Sequence, residues 1–331
     1  MCALAPLRSL PSPVMRRLLT SLLLLAGLVA SAPAGASAAS FGIADQQAST
    51  FANPLYKPLK LKYARYIAPY DVVSDSTQLA NFQAWYSAAV HAKQTMFVSF
   101  EHSRTAGKQQ KLPTKGQYST AMKKFKRKFP KVREVNTWNE VNRCQRGSDT
   151  EGQPKGICKG TRGAKLLNTY YGVSRSVFKG SKFKIVPLNV LDEKNPAPAI
   201  KYIKAFKKVA RAHPPKIWGV QNYSDTNRFS QTRTKKIIKA IGPRGQIWLL
   251  ETGGQLKLGA RVFGEKVAAK ALKCTFKIAK NKRIKRAYIY QFNGDKPEAR
   301  FDAGLINIDG TKRLGYDVVR KRTRAGKSYC K

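Results

Sequence analysis

The sequence predicts an α/β protein that folds as a single (β/α)8 TIM barrel. Short apolar runs typical of buried strands alternate with amphipathic helical segments along most of the chain. This alternation indicates parallel strands joined by helical crossovers. Eight such units can be counted, and eight units in roughly 290 residues favour a closed barrel.

The main alternative is an open, doubly wound parallel sheet. Such a sheet would be expected to carry a glycine-rich phosphate loop after its first strand. The chain has Asp45-Gln46-Gln47 at that position, and neither GxGxxG nor GxxxxGK[ST] occurs anywhere in it. The barrel is therefore the predicted architecture.

Strands and helices can be placed by the period of their apolar residues. The predicted strands cover residues 41–46, 63–68, 95–100, 135–142, 183–190, 217–223, 247–251 and 286–292. The predicted helices cover residues 77–92, 116–129, 162–179, 198–212, 228–241, 263–280 and 316–322.

The first 38 residues are expected to be a leader rather than part of the fold. Two arginines precede an apolar run over 18–29, and Ala-Ser-Ala follows at 36–38. That order is typical of a secretory signal peptide, and the run is too short to span a membrane. Met15 could also be the start. Removing 38 residues from 331 leaves 293, and we expect residues 39–331 to be a secreted, extracellular monomer without a membrane span.

The chain is strongly basic. Its formal net charge is +45, and it is +42 without the leader, which contributes three arginines and no acid. One interpretation is a solvated cationic surface that resists aggregation. The other is attraction to an anionic polymer or cell surface, such as wall polyanions or acidic glycans. The basic runs 123–128 and 204–208 contain phenylalanines at helical spacing, which indicates core packing rather than base stacking and disfavours nucleic acid.

Four cysteines follow the leader, and an even number in an exported protein favours disulfides. Three pairings are possible. The preferred one joins Cys144 to Cys158 around a polar, glycine-containing stretch, and Cys274 to Cys330 near the end of the chain. A zinc site is the alternative, but the chain has no Cys-x-x-Cys and only three histidines.

Two glutamates stand at the C-terminal ends of predicted strands. Glu140 ends the fourth strand, and Glu251 ends the seventh, where Thr252-Gly253-Gly254 follows. Catalytic groups of a barrel lie at these strand ends, and strands four and seven lie on opposing sides of the mouth. A glutamate at a strand end is commonly a solvated rim residue. Two opposed carboxylates, however, are what cleavage of a glycosidic bond requires, one as proton donor and one as nucleophile.

Here the sequence resembles the clan-A retaining glycoside hydrolases, which are (β/α)8 barrels. The resemblance rests on Trp138-Asn139-Glu140 and on Glu251, and through strand order it covers nearly the whole chain after the leader. It implies Glu140 as the acid/base and Glu251 as the nucleophile. It also implies that Asn139 hydrogen-bonds the sugar hydroxyl beside the reacting carbon.

Further positions match the same family. Arg65, at the end of the second strand, corresponds to an arginine that orients the nucleophile in many members. Tyr223, at the end of the sixth strand, corresponds to a tyrosine that hydrogen-bonds the nucleophile. The segments 301–305 and 309–311 resemble the closing part of such enzymes.

The sequence also departs from the family pattern. Val141 replaces a proline that commonly follows the Asn-Glu pair, which affects no chemical group. On the sixth strand a common His-x-Tyr is replaced by Gln-Asn-Tyr at 221–223. On the eighth, a common tryptophan platform is replaced by Tyr290 or Phe292, and Tyr290 is our substrate-binding candidate. These changes leave the reaction type intact and bear on the substrate.

Four more residues are candidates for the mouth. Glu101 and His102 end the third strand in a position suited to substrate binding, although His102 could equally be an ordinary hydrogen-bonded residue. Asp45 could line the mouth from the first strand. Trp138 could stack on a sugar face or pack within the barrel.

The predicted function is therefore a secreted retaining glycosidase that cleaves O-glycosidic bonds of a poly- or oligosaccharide. This mechanism needs no metal or other cofactor. The first alternative is a non-catalytic barrel that binds an anionic cell-wall polymer or acidic glycan through its basic surface. The second is a secreted nucleic-acid binder driven by charge, which would need a basic stripe along one groove.

Overall fold

The computed structural model describes residues 39–145, 152–326 and 329–331. The predicted leader lies outside these residues, so the structure does not bear on it. Within the described ranges, no helix combines the length and the apolar character that crossing a bilayer would require.

The core of the protein is a parallel β-sheet surrounded by helices. Neighbouring strands run in the order β5-β4-β3-β2-β1-β11-β8-β7-β6. These strands are β1 (Ser40–Ala44), β2 (Tyr63–Pro69), β3 (Thr95–Glu101), β4 (Glu134–Asn136), β5 (Lys184–Val186), β6 (Asn189–Leu191), β7 (Ile217–Gln221), β8 (Gln246–Thr252) and β11 (Ile284–Tyr290).

The sheet closes into a barrel through its fifth predicted strand, which is present as two halves. Its first half, β5, pairs with β4, and its second half, β6, pairs with β7. Pro187 lies between the halves and has no backbone N–H to donate to a ladder. Leu188 bridges the gap, since its carbonyl accepts from the N–H of Gly219 at 3.1 Å. The predicted (β/α)8 architecture is confirmed, and β7, β8 and β11 are its sixth, seventh and eighth strands.

Helices follow the strands as predicted, to within a few residues at most ends. They are α1 (Ser76–His91), α2 (Lys115–Lys128), α3 (Lys155–Cys158), α4 (Gly160–Val177), α5 (Ala197–Val209), α6 (Tyr223–Asn227), α7 (Thr232–Ile241), α8 (Glu265–Ile278) and α9 (Leu314–Lys321).

The predicted helix 228–241 is wrong at its beginning. Residues 223–227 instead form the separate helix α6, and α7 begins only at Thr232. Phe229 between them has φ +53°, a left-handed conformation that interrupts a right-handed helix. The carboxylate of Asp225 then accepts from the N–H groups of Arg233 (3.1 Å) and Thr234 (2.6 Å). These bonds satisfy donors that the first turn of α7 leaves without helical partners.

A small antiparallel sheet is formed by the segments that follow the seventh and eighth barrel strands. It consists of β9 (Lys257–Leu258), β10 (Arg261–Val262) and β12 (Phe301–Asp302), in the order β10-β9-β12. Asp302 forms a two-contact ion pair with Arg313, at 2.9 and 2.8 Å. The segment that resembles the closing part of the family therefore anchors this sheet to the start of α9.

Both preferred disulfides are present. Cys144 is bonded to Cys158 and Cys274 to Cys330, with Cα–Cα distances of 5.3 and 5.4 Å. The zinc alternative is therefore wrong, because all four sulfurs are oxidised. The first bond joins the chain just after Glu140 to α3, and the second ties the C-terminus to α8.

A buried ion pair occupies the barrel near the N-terminal ends of the strands. Arg286 on β11 is bonded to Glu134 on β4. Its guanidinium also stacks against the rings of Tyr63 (3.8 Å) and Trp248 (4.0 Å). Arg286 is 5% exposed and Glu134 2%. Glu134 has a second partner, the half-exposed Lys184, at 3.0 Å, so it is the Arg286 charge that would be left buried without a carboxylate if the pair were broken.

We expect Glu134→Ala to destabilise the protein by about 3–5 kcal/mol, since it leaves the Arg286 charge buried and unpaired. Denaturant unfolding followed by tryptophan fluorescence measures this change. The double replacement Glu134→Leu with Arg286→Met removes both charges and should recover most of the loss. If the double variant is no more stable than Glu134→Ala, the loss of stability does not come from an unpaired charge.

Candidate active site

Glu251 lies at the C-terminal mouth of the barrel, where β8 ends. Three side chains donate hydrogen bonds to its carboxylate. Arg65 Nη1 (2.7 Å) and Gln221 Nε2 (3.2 Å) donate to Oε2, and the Tyr223 hydroxyl donates to Oε1 at 3.0 Å. Donors that converge on a carboxylate fix its orientation. The Glu251 carboxylate is therefore held in place by side chains from β2, β7 and α6.

Two glycines after Glu251 let the chain leave β8 in a crowded space. A Cβ at Gly253 would lie 2.1 Å from the carbonyl oxygen of Tyr290, and one at Gly254 would lie 2.0 Å from that of Ala268. No larger residue fits such approaches without moving the backbone. The Gly-Gly pair therefore lets the chain after Glu251 pass close to the end of β11 and to α8.

Arg65 connects Glu251 to Asn139. It is 1% exposed, and its other guanidinium nitrogens donate to Ser99 Oγ (3.0 Å) and to Asn139 Oδ1 (2.8 Å). The planar guanidinium holds these partners in one plane with definite angles. Arg65 thus sets the position of two strand-end side chains at once.

The amide of Asn139 has only one orientation that suits its neighbours. Its Oδ1 accepts from Arg65 (2.8 Å), Asn189 (2.8 Å) and Gln221 (3.2 Å). Its Nδ2 lies 3.5 Å from Glu101 Oε2, a long hydrogen bond. Three donors around the oxygen leave the NH2 group as the part of Asn139 that can bind a further oxygen atom.

Glu140 is held beside this network by the backbone on both sides. The N–H of Asn139 donates to Phe100 on β3 at 2.7 Å, and that of Val141 donates to Asn189 on β6 at 2.9 Å. Glu140 itself has φ +42°, an uncommon conformation for a residue with a side chain and one found at functional sites. Its carboxylate accepts from Arg143 Nη1 at 3.0 Å.

Burial raises the pKa of Glu140 to about 7. Arg143 opposes this rise, while the negative charges of Glu251 and Glu101 add to it. The two candidate carboxylates therefore lie close enough to interact electrostatically. A substantial fraction of Glu140 keeps its proton near neutral pH, which suits a group that must donate one.

We expect Glu140→Gln to be more stable than the parent protein at pH 8 but not at pH 4. The pKa of Glu140 is higher in the folded state than the usual 4.5 of an unfolded glutamate. Between these values the unfolded chain loses a proton that the folded chain keeps, so stability falls as pH rises. Glutamine removes that penalty, which is on the order of 1–3 kcal/mol.

Thermal unfolding of both proteins from pH 4 to pH 9 measures this difference. The control is Glu298→Gln, which removes a carboxylate from an exposed position and should leave the pH profile unchanged. A Glu140→Gln protein less stable than the parent at pH 8 would show that the Arg143 contact outweighs burial.

The third carboxylate at this mouth is Glu101, where β3 ends. Arg104 holds its Oε1 with two nitrogens, at 3.1 and 2.9 Å. His102 beside it is buried, at 4% exposed, and its Nδ1 has no hydrogen-bond partner in the described part of the chain. Glu101 therefore belongs to the carboxylate cluster, and His102 lies buried next to it in the chain.

The candidate aromatic residues divide between core and mouth. Trp138 is completely buried, stacks on Tyr170 at 5.4 Å, and donates to Gln153 at 2.7 Å. The structure therefore supports a packing role for Trp138 and does not support stacking on a sugar. Phe292 is also completely buried. Tyr290 is partly exposed, so it is the one of the two eighth-strand aromatics that can meet a ligand.

Asp45 does not line the mouth. It is 2% exposed, and its Oδ2 accepts from the N–H groups of Phe292 (3.0 Å) and Asn293 (2.9 Å). The Asn293 side chain also donates to it, at 3.2 Å. Burial raises the pKa of Asp45, while these hydrogen bonds lower it. The side chain thus joins the first strand to the segment after the eighth and helps to close the barrel.

Asp192, just after β6, indirectly positions Tyr223. Its two oxygens accept from the N–H groups of Ser224 and Asp225, each at 2.8 Å. These are the residues that follow Tyr223 at the start of α6. By holding this short helix, Asp192 keeps the Tyr223 hydroxyl directed at Glu251.

Sequence reasoning gives no role to Arg104, Arg143 and Asn189. It singles out Gln221 only as a departure from the family pattern that bears on the substrate. Asn189 and Gln221 carried a signal, since both are polar residues in predicted strands whose ends reach the mouth. Arg104 and Arg143 lie in loops, where an arginine is ordinary and nothing in the local pattern marks it.

Comparison with known proteins agrees with this architecture. No protein-family model matches the sequence, and no curated protein is significantly similar to it. Among solved structures, a psychrophilic family 10 endo-β-1,4-xylanase superposes with a TM-score of 0.62 at 12% identity, over 86% of this chain and 96% of that one. A fungal β-1,4-galactanase gives 0.61 at 13% identity, over 86% and 100%.

A family 39 glycoside hydrolase from the gut symbiont Bacteroides cellulosilyticus WH2 gives a TM-score of 0.59 at 13% identity. The alignment covers 85% of this chain but only 62% of that protein. At such identities the likeness concerns the fold. The chain has the (β/α)8 barrel fold of these glycoside hydrolases, with three glutamates gathered at its mouth.

Proposed function

We propose that the protein is a retaining glycoside hydrolase that cleaves O-glycosidic bonds of a poly- or oligosaccharide by double displacement. The observation that carries this proposal is the unequal environment of two neighbouring carboxylates. Glu251 receives three hydrogen bonds, including one from a buried arginine. Burial and neighbouring negative charge raise the pKa of Glu140 to about 7. Such a pair supplies a nucleophile and a proton donor at the same pH.

In the first step the Glu251 carboxylate attacks the anomeric carbon. The bond from that carbon to the leaving oxygen breaks, and Glu140 gives the leaving oxygen its proton. Arg65 and Tyr223 keep the carboxylate oriented for attack. The NH2 group of Asn139 is placed to hydrogen-bond the sugar hydroxyl beside the reacting carbon.

In the second step Glu140, now ionised, removes a proton from water. The resulting hydroxide attacks the anomeric carbon, and the bond to Glu251 breaks, which restores both carboxyl groups. Two successive inversions give net retention of configuration. The side chains of Glu140 and Glu251 are each 10% exposed, which leaves a path for substrate and water.

Glu101 and Tyr290 are the residues we assign to substrate binding beyond the reacting sugar. Glu101 is a hydrogen-bond acceptor for sugar hydroxyls, and the partly exposed ring of Tyr290 can pack on an apolar sugar face. Tyr290 also contacts Phe301 of β12, at 5.7 Å between ring centroids. The small sheet would therefore border the substrate on the side of the seventh and eighth strands.

We further propose that the protein acts outside the cell after removal of its leader. The two disulfides support this location, because such bonds form and persist in oxidising compartments. A carbohydrate polymer of the surroundings would then be the substrate.

The direct test is a screen against plant, fungal and bacterial polysaccharides, with the anomeric configuration of the first products followed by NMR. The proposal expects release of sugar with retained configuration, and a loss of that activity when Glu251 is replaced. Products with inverted configuration would overturn the assignment of Glu251 as a nucleophile. A failure of every glycan to be cleaved, together with tight binding of one of them, would favour the non-catalytic barrel.

A further inference from the structure

Four helices that neighbour one another in the outer layer carry basic residues and no acidic ones. The helices α2, α4, α5 and α7 contain many lysines and arginines but neither aspartate nor glutamate. In the fold α2 packs beside α4, α4 beside α5, and α5 beside α7. Their outer surfaces therefore form one wall that carries positive charges and no negative ones, which we call the basic face.

The lysines of the basic face are exposed. On α2, α5 and α7 they include Lys123, Lys124, Lys128, Lys201, Lys204, Lys208, Lys235, Lys236 and Lys239. Within the described part of the chain, none of these nine lies within ion-pair distance of a carboxylate. Their charges are therefore not compensated locally.

The exposed carboxylates lie elsewhere on the molecule. Among the described residues, the acidic residues with exposed side chains are Glu298, Asp309 and Asp317, all outside the four helices. Many of the other acids are buried at the mouth or inside the barrel. Burial of these acids removes negative charge from the surface without reducing the number of exposed lysines, so the surface is more basic than the sequence total suggests.

A cavity of about 410 Å³ marks one end of the basic face. Lys124, Arg127 and Lys128 line it together with Val73. Three cations around one concavity concentrate positive potential, which favours an anionic group at this point.

The basic face lacks the features that base stacking and membrane insertion require. Its aromatic side chains are buried, among them Tyr118, Phe125, Tyr170 and Phe206, so none is available to stack on nucleic-acid bases. It also has no exposed large apolar side chain, since those of the described chain lie between residues 258 and 314. Insertion into a membrane interface needs such residues.

We propose that the basic face binds an acidic polysaccharide along the outer wall of the barrel, at a site separate from the catalytic mouth. Lysines, which predominate on this face, act as mobile point charges without the fixed planar geometry of arginine. They suit a flexible polymer whose carboxylates repeat along the chain. Such binding would hold the protein on an acidic matrix, and it does not depend on whether Glu140 and Glu251 are catalytic.

The test is binding of the Glu251→Gln protein to polygalacturonate, measured by isothermal titration calorimetry at 50 and 200 mM NaCl, with neutral xylan in parallel. Use of this variant separates binding from turnover. We expect polygalacturonate to bind, and its affinity to fall on the order of 10–100-fold between the two salt concentrations, because bound counterions are released. An affinity for polygalacturonate that is the same at both salt concentrations would overturn the proposal.

Location is tested by two variants of equal net charge. The first replaces one exposed lysine on each of three helices of the face: Lys124→Glu, Lys204→Glu and Lys236→Glu. The control replaces three exposed lysines outside it: Lys266→Glu, Lys280→Glu and Lys282→Glu. We expect a loss of affinity of at least about 10-fold in the first and less than about 3-fold in the control.

An equal loss of affinity in the two variants would show that binding depends on total charge and not on position. It would overturn the assignment of binding to the basic face. Tighter binding of duplex DNA, or of phosphatidylglycerol vesicles, than of polygalacturonate at the same salt concentration would overturn the choice of partner. Thermal unfolding establishes that each variant is folded, and the corresponding lysine-to-glutamine triple variant provides a milder change at the same three positions.

Discussion

Glu251→Gln is expected to reduce kcat by at least about 10⁴-fold on any glycoside that the protein cleaves, because an amide does not form the covalent intermediate. Glutamine keeps the size of glutamate and an oxygen that can accept from Arg65. It does not restore the negative charge that Arg65, Gln221 and Tyr223 surround. Steady-state kinetics with an aryl glycoside of the identified sugar measures the loss.

The matched control for this variant is Glu298→Gln, an exposed carboxylate whose replacement should leave kcat unchanged. Added azide provides a second readout. In a variant with a smaller residue at this position, such as Glu251→Ala, azide can occupy the vacated space. It can then attack the anomeric carbon from the side on which Glu251 lies in the parent protein, which gives a glycosyl azide of inverted configuration. Near-normal turnover by Glu251→Gln would remove Glu251 from the mechanism.

Glu140→Ala is expected to have the second-largest effect, and its size should depend on the leaving group. Proton donation typically contributes 10²–10⁴-fold, so glycosides with basic alcohol leaving groups should lose about this much. Aryl glycosides with acidic leaving groups need no proton and should form the intermediate at a nearly normal rate. Hydrolysis of the intermediate should then be slow, since no base remains to activate water.

Pre-steady-state kinetics with an acidic aryl glycoside would reveal this as a burst of released phenol followed by slow turnover. Azide should accelerate the slow phase and give a glycosyl azide of retained configuration. The opposite stereochemical outcomes for the two variants separate the roles of Glu140 and Glu251. An equal loss for good and poor leaving groups would show that Glu140 is not the proton donor.

The barrel was predictable because its strands and helices are encoded locally. The run Thr95-Met96-Phe97-Val98-Ser99-Phe100 indicates a buried strand by itself, and the apolar spacing of residues 77–92 indicates a helix. What local patterns did not indicate were breaks caused by single residues. Pro187 divides the fifth strand, and Phe229 with φ +53° separates α6 from α7.

Candidate site residues were predictable where a polar side chain ends a strand. Glu251, Arg65 and Asn139 follow this rule, and the structure brings them together. The rule was wrong for Asp45, which also follows a strand but bonds to the backbone of Phe292 and Asn293. A carboxylate at a strand end has the same sequence signature in both cases, because its partners come from a distant part of the chain.

The sequence by itself determined the eightfold alternation, the two glutamates at strand ends and the number of cysteines available for pairing. Only the tertiary structure decided how these groups act. The Oδ1 of Asn139 accepts from residues 74, 50 and 82 positions away, and the pKa of Glu140 depends on burial and on Glu251 and Glu101. Orientation and protonation are set by neighbours in space, and closure of the barrel is what makes these residues neighbours.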